Sequence, residues 1–277
     1  MTQTSPTHIL QITDLHLKAD SAALWRGHNV QNSLDAVLKL ACEHNHWPPA
    51  LILVTGDIVD DETPEGYRQT YQRLAAQLRQ LLGDAARTTA IGFIPGNHDD
   101  AGILKRSCAE LNIQGCGVFT LNNWQIIQLD STLANSDDGE LGAVQLSVLE
   151  SALMEPAAPY SLIVLHHPLV KLDSQWMDSM RVKDAEALFQ CIDRYNDQTS
   201  DINVRAILWG HAHQETDLRY PLRHQQLRLL GAPAAGPVQF TVASDDFAID
   251  TDLPAGLRWL TLGEDGRIET IVNRIKK

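Results

Sequence analysis

A four-layer α-β-β-α sandwich, two mixed β-sheets packed face to face with helices outside, is predicted from three features of the chain. Through the first half, short β-branched apolar runs alternate with longer amphipathic stretches, the pattern of strands and helices in layers. From Arg205 onward the texture is mostly strand. No Gly/Ser linker, charge run or internal repeat divides the 277 residues, so one domain over 1–277 is expected, with the strands from about 226 completing the second sheet.

HILQIT (8–13), LILVTG (51–56) and TAIGFIP (89–95) read as buried strands. Between the first two, Val30 to Glu43 carries Val30, Leu34, Val37, Leu38 and Ala41 at helical spacing. Thr63 and Pro64 supply an N-cap and a first helical residue for a helix to about Leu82, whose stripe is Tyr67, Tyr71, Leu74, Leu78 and Leu81. Residues 117–130 predict two strands around Asn122-Asn123, and a polar loop, 131–142, follows. Val144 to Met154 predicts a helix stopped by Pro156, SLIVLHHP (161–168) a strand ending in a loop, and Lys183 to Tyr195 another helix. The remaining strands are RAILWG, QLRLLGA, VQFTV, GLRWLTL and RIETIVN.

Hydrophobic residues at 44% and charged residues at 21% exclude a disordered or fibrous chain. A formal charge of −13 repels an extended phosphate backbone and argues against long nucleic acid as a partner. Cys42, Cys108, Cys116 and Cys191 form no C-x-x-C pair and no disulfide framework, which suits a reducing cytoplasm. The start lacks a signal-peptide pattern and no apolar run is long enough to span a bilayer, so neither export nor a membrane partner is expected.

Five segments place Asp, His or Asn at or just after a strand end: Asp14-Leu15-His16, Gly56-Asp57, Gly96-Asn97-His98-Asp99, His166-His167-Pro168 and Gly210-His211-Ala212-His213. Asp-x-His and His-x-His on an extended chain put two donor atoms on one side, as a metal clasp requires. Each fragment alone is weak; five in strand-end positions predict a metal site. His8, His28, His44, His46 and His224 lack a partner motif, and Cys191 falls on an apolar helical stripe.

In order and without a gap, Asp14-x-His16, Gly56-Asp57-x-x-Asp60, Gly96-Asn97-His98-Asp99, His166-x-Pro168 and Gly210-His211-x-His213 resemble the motif series of the calcineurin-like metallophosphoesterases. ILQITDLHL, HHPL, the Trp176 loop, GHAHQE, PVQF and the 246–258 segment are similar to the bacterial class III cyclic nucleotide phosphodiesterases. The resemblance implies a dinuclear site: Asp14, His16 and His213 on one metal, Asn97, His166 and His211 on the other, and Asp57 bridging. His167 is then structural.

The O/N donor set without thiolate suits Fe, Mn, Co or Zn, and the resemblance favours iron and manganese. It also implies hydrolysis of 3′,5′-cyclic AMP to 5′-AMP by a metal-bound hydroxide, with a small phosphodiester as the partner and a homodimer admitted. His98 is assigned to the leaving group and Asp60 to pairing with it, against a plain helix-start role for Asp60 near Thr63. Substrate contacts are expected from His16, Asp57, Asn97, His98 and His213, with Trp176 as a gate. Phe93, Trp124 and Phe247 are further candidate faces for a base. Two other readings stay open: another small ester (a glycerophosphodiester, a 2′,3′-cyclic nucleotide or a phosphomonoester), and a noncatalytic binding protein on the same fold.

Overall fold

The structure is a computed structural model, and it describes residues 6–61, 63–199, 203–240 and 245–276. The elements of the first half are β1 (Thr7–Ile12), β2 (Leu24–Trp25), β3 (His28–Asn29), α1 (Val30–Cys42), β4 (Leu51–Thr55), α2 (Pro64–Leu82), β5 (Ala90–Ile94), α3 (Ala101–Leu111), β6 (Gly117–Leu121) and β7 (Trp124–Gln128). The second half adds α4 (Gly142–Met154), β8 (Tyr160–Val164), α5 (Gln175–Asp178), α6 (Ala185–Gln198), β9 (Val204–Trp209), β10 (Thr216–Pro221), β11 (Gln226–Gly231), β12 (Gln239–Phe240), β13 (Ile249–Asp250), β14 (Gly256–Leu262) and β15 (Ile268–Arg274). Of VQFTV, the last two residues lie outside the described residues.

One sheet runs β15-β14-β1-β4-β5, with β1, β4 and β5 mutually parallel; the other runs β10-β11-β9-β8-β7-β6, with β7, β8, β9 and β11 parallel. Strand alternation sends one set of side chains between the sheets: Ile9, Leu51, Leu53 and Leu260 meet Ile126, Leu162, Val164 and Leu208. The opposite set, Leu10, Ile52 and Val54 in one sheet and Ile163 and Ile207 in the other, packs under the apolar stripes of α1, α2, α4 and α6. These are the four layers the sequence predicts.

The C-terminal strands correct one expectation. β11 joins the second sheet, but β14 and β15 do not complete it: β14 pairs antiparallel with β1, and β15 with β14, in the first sheet. Alternation along a strand says which face is buried and not which sheet edge receives it. Arg258 on β14 is a buried tie between the sheets, donating to the carbonyls of Gly231 at 2.8 Å and Thr216 at 3.0 Å. Gln11, the register partner of Arg258 on β1, does the same beside it, donating to the Trp209 carbonyl at 3.0 Å and to Thr55 Oγ1 at 3.1 Å. No helix among the described residues is long and apolar enough to cross a membrane.

Candidate metal centre

All five motif segments leave the C-terminal ends of parallel strands: Asp14 follows β1, Asp57 follows β4, Asn97 follows β5, His166 follows β8 and His211 follows β9. Parallel strands end on the same side, so facing sheets bring five loops to one rim. There the loops are stitched together by backbone bonds, Asp14 N–H to the Gly56 carbonyl at 3.0 Å, His16 N–H to Asp57 at 2.9 Å and Gly210 N–H to His166 at 3.0 Å.

The sequence predicts that the Asp-x-His and His-x-His pairs converge by strand alternation on an extended chain, and the structure corrects this. Asp14, His16, Asp57, His211 and His213 have φ of 54°, 47°, 49°, 61° and 52°, the left-handed region that residues with a Cβ seldom occupy. Each chain therefore curls around the site instead of passing it extended. Gly56 makes the curl possible at the tightest point: a methyl there would lie 2.7 Å from His166 Cγ and 2.9 Å from the Gly96 nitrogen.

Two groups of buried donors result. Asp14, His16, Asp57 and His213 bring one donor atom each within 4.8 Å of one another. Within that group His213 Nε2 is 3.5 Å from Asp14 Oδ1, His16 Nε2 is 3.7 Å from Asp57 Oδ2, and the two Nε2 atoms are 3.3 Å apart. Across Asp57, His166 Nε2 lies 3.4 Å from Asp57 Oδ1 and 3.3 Å from Asn97 Oδ1, and His211 Nδ1 lies 2.9 Å from the same Asn97 oxygen. The structure thus brings together all seven side chains of the expected ligand set, with Asp57 facing both groups.

Hydrogen bonds behind the rings decide which nitrogens are free to bind a cation. His166 Nδ1–H donates to the Thr55 carbonyl at 2.8 Å and His213 Nδ1–H to the Val238 carbonyl at 2.7 Å, so both turn an Nε2 lone pair inward. Asn97 Nδ2 donates to Asp137 Oδ1 at 3.2 Å, which aims its Oδ1 at His166 and His211. Asp14 Oδ2 is buried with no hydrogen-bond partner among the described residues. Lone pairs facing one another and a buried carboxylate oxygen without a donor are what divalent cations satisfy, and the residues fit the metals expected of them.

Electrostatics point the same way. Burial raises the Asp14 carboxyl above its ordinary value and holds His16 and His211 well below theirs. Burial also opposes charge on Asp57, yet His166, His98 and His16 outweigh it and hold that carboxyl well below the usual range. Against its own burial, His166 is pushed up to about 9 by Asp57 and Asp14. These carboxylates demand positive charge in a dry place, and a divalent ion meets that demand better than a shared proton.

His98 stands at the rim. Its backbone N–H donates to Asp57 Oδ1 at 2.9 Å, its ring meets His16 edge-on at 4.7 Å, and its Nδ1 is 3.7 Å from Asp60 Oδ2. Burial would lower its pKa, but Asp60, Asp57 and Asp99 raise it to about 9. Asp60 also meets Lys18 Nζ at 3.2 Å, and against its burial His98 and Lys18 hold its carboxyl far below normal. The helix-start reading of Asp60 fails here, since Thr63 Oγ1 caps α2 by accepting the Gly66 N–H at 3.0 Å.

His167 lies beside the second group, with a ring nitrogen within 4.8 Å of donor atoms of His166 and His211 and its ring 4.6 Å from that of His211. Ser131 Oγ accepts the backbone N–H of His166 and His167, each at 3.2 Å, and donates its own proton to His167 Nδ1 at 2.9 Å. The His167 pKa falls to about 3 through burial and the nearby His166.

Of the candidate aromatic faces, Phe93 and Trp124 are buried in the core, and the Trp124 N–H donates to the Gly263 carbonyl at 3.1 Å. Trp176 lies on the short α5 rather than in a loop, edge-on to Phe240 and Phe247 at 5.1 Å each, and Phe240 stacks on His213 at 4.1 Å.

Sequence reasoning missed three contributors. Asp99 is the clasp between two motif loops: its Oδ2 accepts from Ile58 N at 3.1 Å and Gly96 N at 2.9 Å, its Oδ1 from Val59 N at 3.0 Å and the Tyr71 hydroxyl at 2.9 Å. Burial, then the Asp57 charge, pushes its carboxyl up to about 6. Trp25 stacks flat on His16 at 3.9 Å and 6°, and Phe240 does the like for His213. Position within the Asn-His-Asp-Asp run was a signal for Asp99 and the PVQF segment one for Phe240; for Trp25 the chain offers none.

Known proteins resemble this chain in sequence and in fold. A family model described as calcineurin-like phosphoesterase matches residues 7–215. The 3′,5′-cyclic adenosine monophosphate phosphodiesterase CpdA of Pseudomonas aeruginosa is 32% identical over 96% of this chain and 89% of its own. A 3′,5′-cyclic-nucleotide phosphodiesterase of Nostoc sp. is 34% identical over 99% and 95%. Among solved structures, PhoD superposes with a TM-score of 0.52 at 12% identity, covering 99% of this chain and 71% of that one, a likeness of fold.

Proposed function

The chain belongs to the calcineurin-like phosphoesterase family, and from that membership we propose that it is a phosphodiesterase dependent on two divalent ions that hydrolyses 3′,5′-cyclic AMP to 5′-AMP. The observation that carries the reading is Asp57 set between two groups of inward-turned donors at the rim of the sandwich. Asp14, His16, Asp57 and His213 would hold one ion, and Asp57, Asn97, His166 and His211 the other. Iron and manganese are favoured, and the O/N donor set also admits zinc or cobalt. When bound, the ions lower the pKa of a water and withdraw charge from the phosphate oxygens.

The chain's own residues do the rest. His98, half-exposed beside Asp57 and carrying a proton against Asp60, donates that proton to the 3′ oxygen as the P–O3′ bond breaks and the water oxygen bonds to phosphorus. Asp60 orients the ring and keeps it charged. Trp176 packs edge-on with Phe240 and Phe247, and so supports the wall beside His213.

The test is a substrate panel on the metal-reconstituted protein: 3′,5′-cyclic AMP, a 2′,3′-cyclic nucleotide, a glycerophosphodiester and a phosphomonoester, compared by kcat/KM. Cyclic AMP is expected to lead, and Asp57→Asn to abolish turnover with the fold retained by circular dichroism. Cyclic AMP trailing all the others by orders of magnitude would overturn the substrate, and full activity in Asp57→Asn would overturn the site.

A further inference from the structure

The β2–β3 hairpin turns through Arg26 and Gly27, with Trp25 paired to His28 across it. Both turn residues have positive φ, 48° and 84°, the two-residue turn in which Asn-Gly is the favoured pair. Arginine in the first position crowds its Cβ against the backbone, so its presence there points to a use for its side chain. That side chain reaches over two rings: the guanidinium carbon lies 5.1 Å from the Trp25 centroid and 4.9 Å from that of Phe247. Arg26 is exposed and forms no ion pair among the described residues.

These contacts close a circuit around one half of the metal centre. His16 stacks on Trp25, Trp25 lies under Arg26, Arg26 covers Phe247, Phe247 meets Phe240 at 5.4 Å, and Phe240 stacks on His213. Only two ring contacts therefore separate Phe247 from a metal-facing imidazole, and Phe247 remains 46% exposed. An exposed phenyl ring and an unpaired guanidinium at the lip of a phosphate-binding centre form a stacking platform for a flat heteroaromatic ring.

We propose that Phe247 and Arg26 are the nucleobase subsite, on which the base of a nucleotide stacks while its phosphate lies at the His16–His213 side of the centre. The inference rests on the reading of that centre as a phosphoester site. Stacking engages the π-face that every base presents, so the subsite recognises a nucleobase without selecting adenine. The substrate class it implies is 3′,5′-cyclic nucleotides in general.

The experiment titrates metal-loaded protein calorimetrically with 5′-AMP, 5′-GMP and ribose 5-phosphate, which share a phosphorylated ribose and differ in the base. Wild type is expected to bind both nucleotides about 5- to 100-fold more tightly than ribose 5-phosphate. Phe247→Ala and Phe247→Leu should each remove most of that preference, and Arg26→Ala part of it, with ribose 5-phosphate affinity and metal content unchanged. Equal affinity for nucleotide and sugar phosphate in wild type, a preference that survives Phe247→Leu, or no binding of any of the three would overturn the subsite. Turnover of cyclic AMP is measured alongside. A base preference without turnover removes the proposed activity and leaves the subsite standing; turnover without a base preference removes the subsite alone.

Discussion

Five residues of the centre hold a left-handed backbone conformation that disfavours each by roughly 1–2 kcal/mol, and bonds across the rim offset it: the N–H groups of Asp14 and His16 find carbonyls, and that of His211 the Asp14 carboxylate at 3.0 Å. The imidazoles themselves are aimed by what lies behind them. His166 and His213 are fixed by hydrogen bonds to Thr55 and Val238, but His16 Nδ1 is buried with no partner among the described residues. Its ring is held instead by the flat stack on Trp25. Trp25→Ala should therefore weaken the metal held by Asp14, His16 and His213 by about tenfold, the scale of losing an outer partner. Metal content after dialysis checks this, and Trp25→Phe should recover most of it; unchanged affinity in Trp25→Ala would leave the stack without a role.

The elements of this fold carry the site as loops between rigid ends, and Asp99 joins two of them. One half-buried carboxylate accepts three backbone N–H groups and a tyrosine hydroxyl from the β4 loop, the β5 loop and α2. Asp99→Ala orphans all four donors at once, and a loss of about 3 kcal/mol or more is expected, since a single stranded donor costs about 1–3 kcal/mol. In thermal unfolding this is a fall in Tm of roughly 6–12 °C. A smaller change than Thr63→Ala, which removes only the α2 cap and about 1 kcal/mol, would refute the clasp. Elements with a clear period, such as α1, α2, β4 and β14, were legible from the chain. Helix α3 was not, because its N-cap Asp100 directly follows the metal motif, where a further carboxylate does not stand out, and Gly102 interrupts its first turn. The β2–β3 hairpin escaped notice because two-residue strands carry no alternation to read.

At the scale of the whole molecule, a body of net charge −13 surrounds a cleft whose charge two divalent ions would reverse. Removing them leaves Asp14 and Asp57 buried in proximity, so treatment with a strong chelator should lower Tm by about 5–10 °C as well as stop turnover. Restoring Mn²⁺ or Fe²⁺ should recover both; a Tm indifferent to chelation would mean that the centre folds around protons rather than metal. The ordered series of Asp, His and Asn at strand ends needed no coordinates to be seen, because a strand, its end and a polar residue beyond it are local in the chain. That local grammar was enough to predict a metal site, the layers and the family the motifs resemble; the set of seven donors came from that resemblance. Tertiary structure decided which nitrogen of each ring turns inward, that Asp60 lies against His98 and Lys18, that β14 borders β1 with β15 beyond it, and that Trp25, Arg26, Phe240 and Phe247 line one side of the centre. Those contacts join residues as far apart as His16 and His213, and only the packing of two sheets against each other fixes such distances.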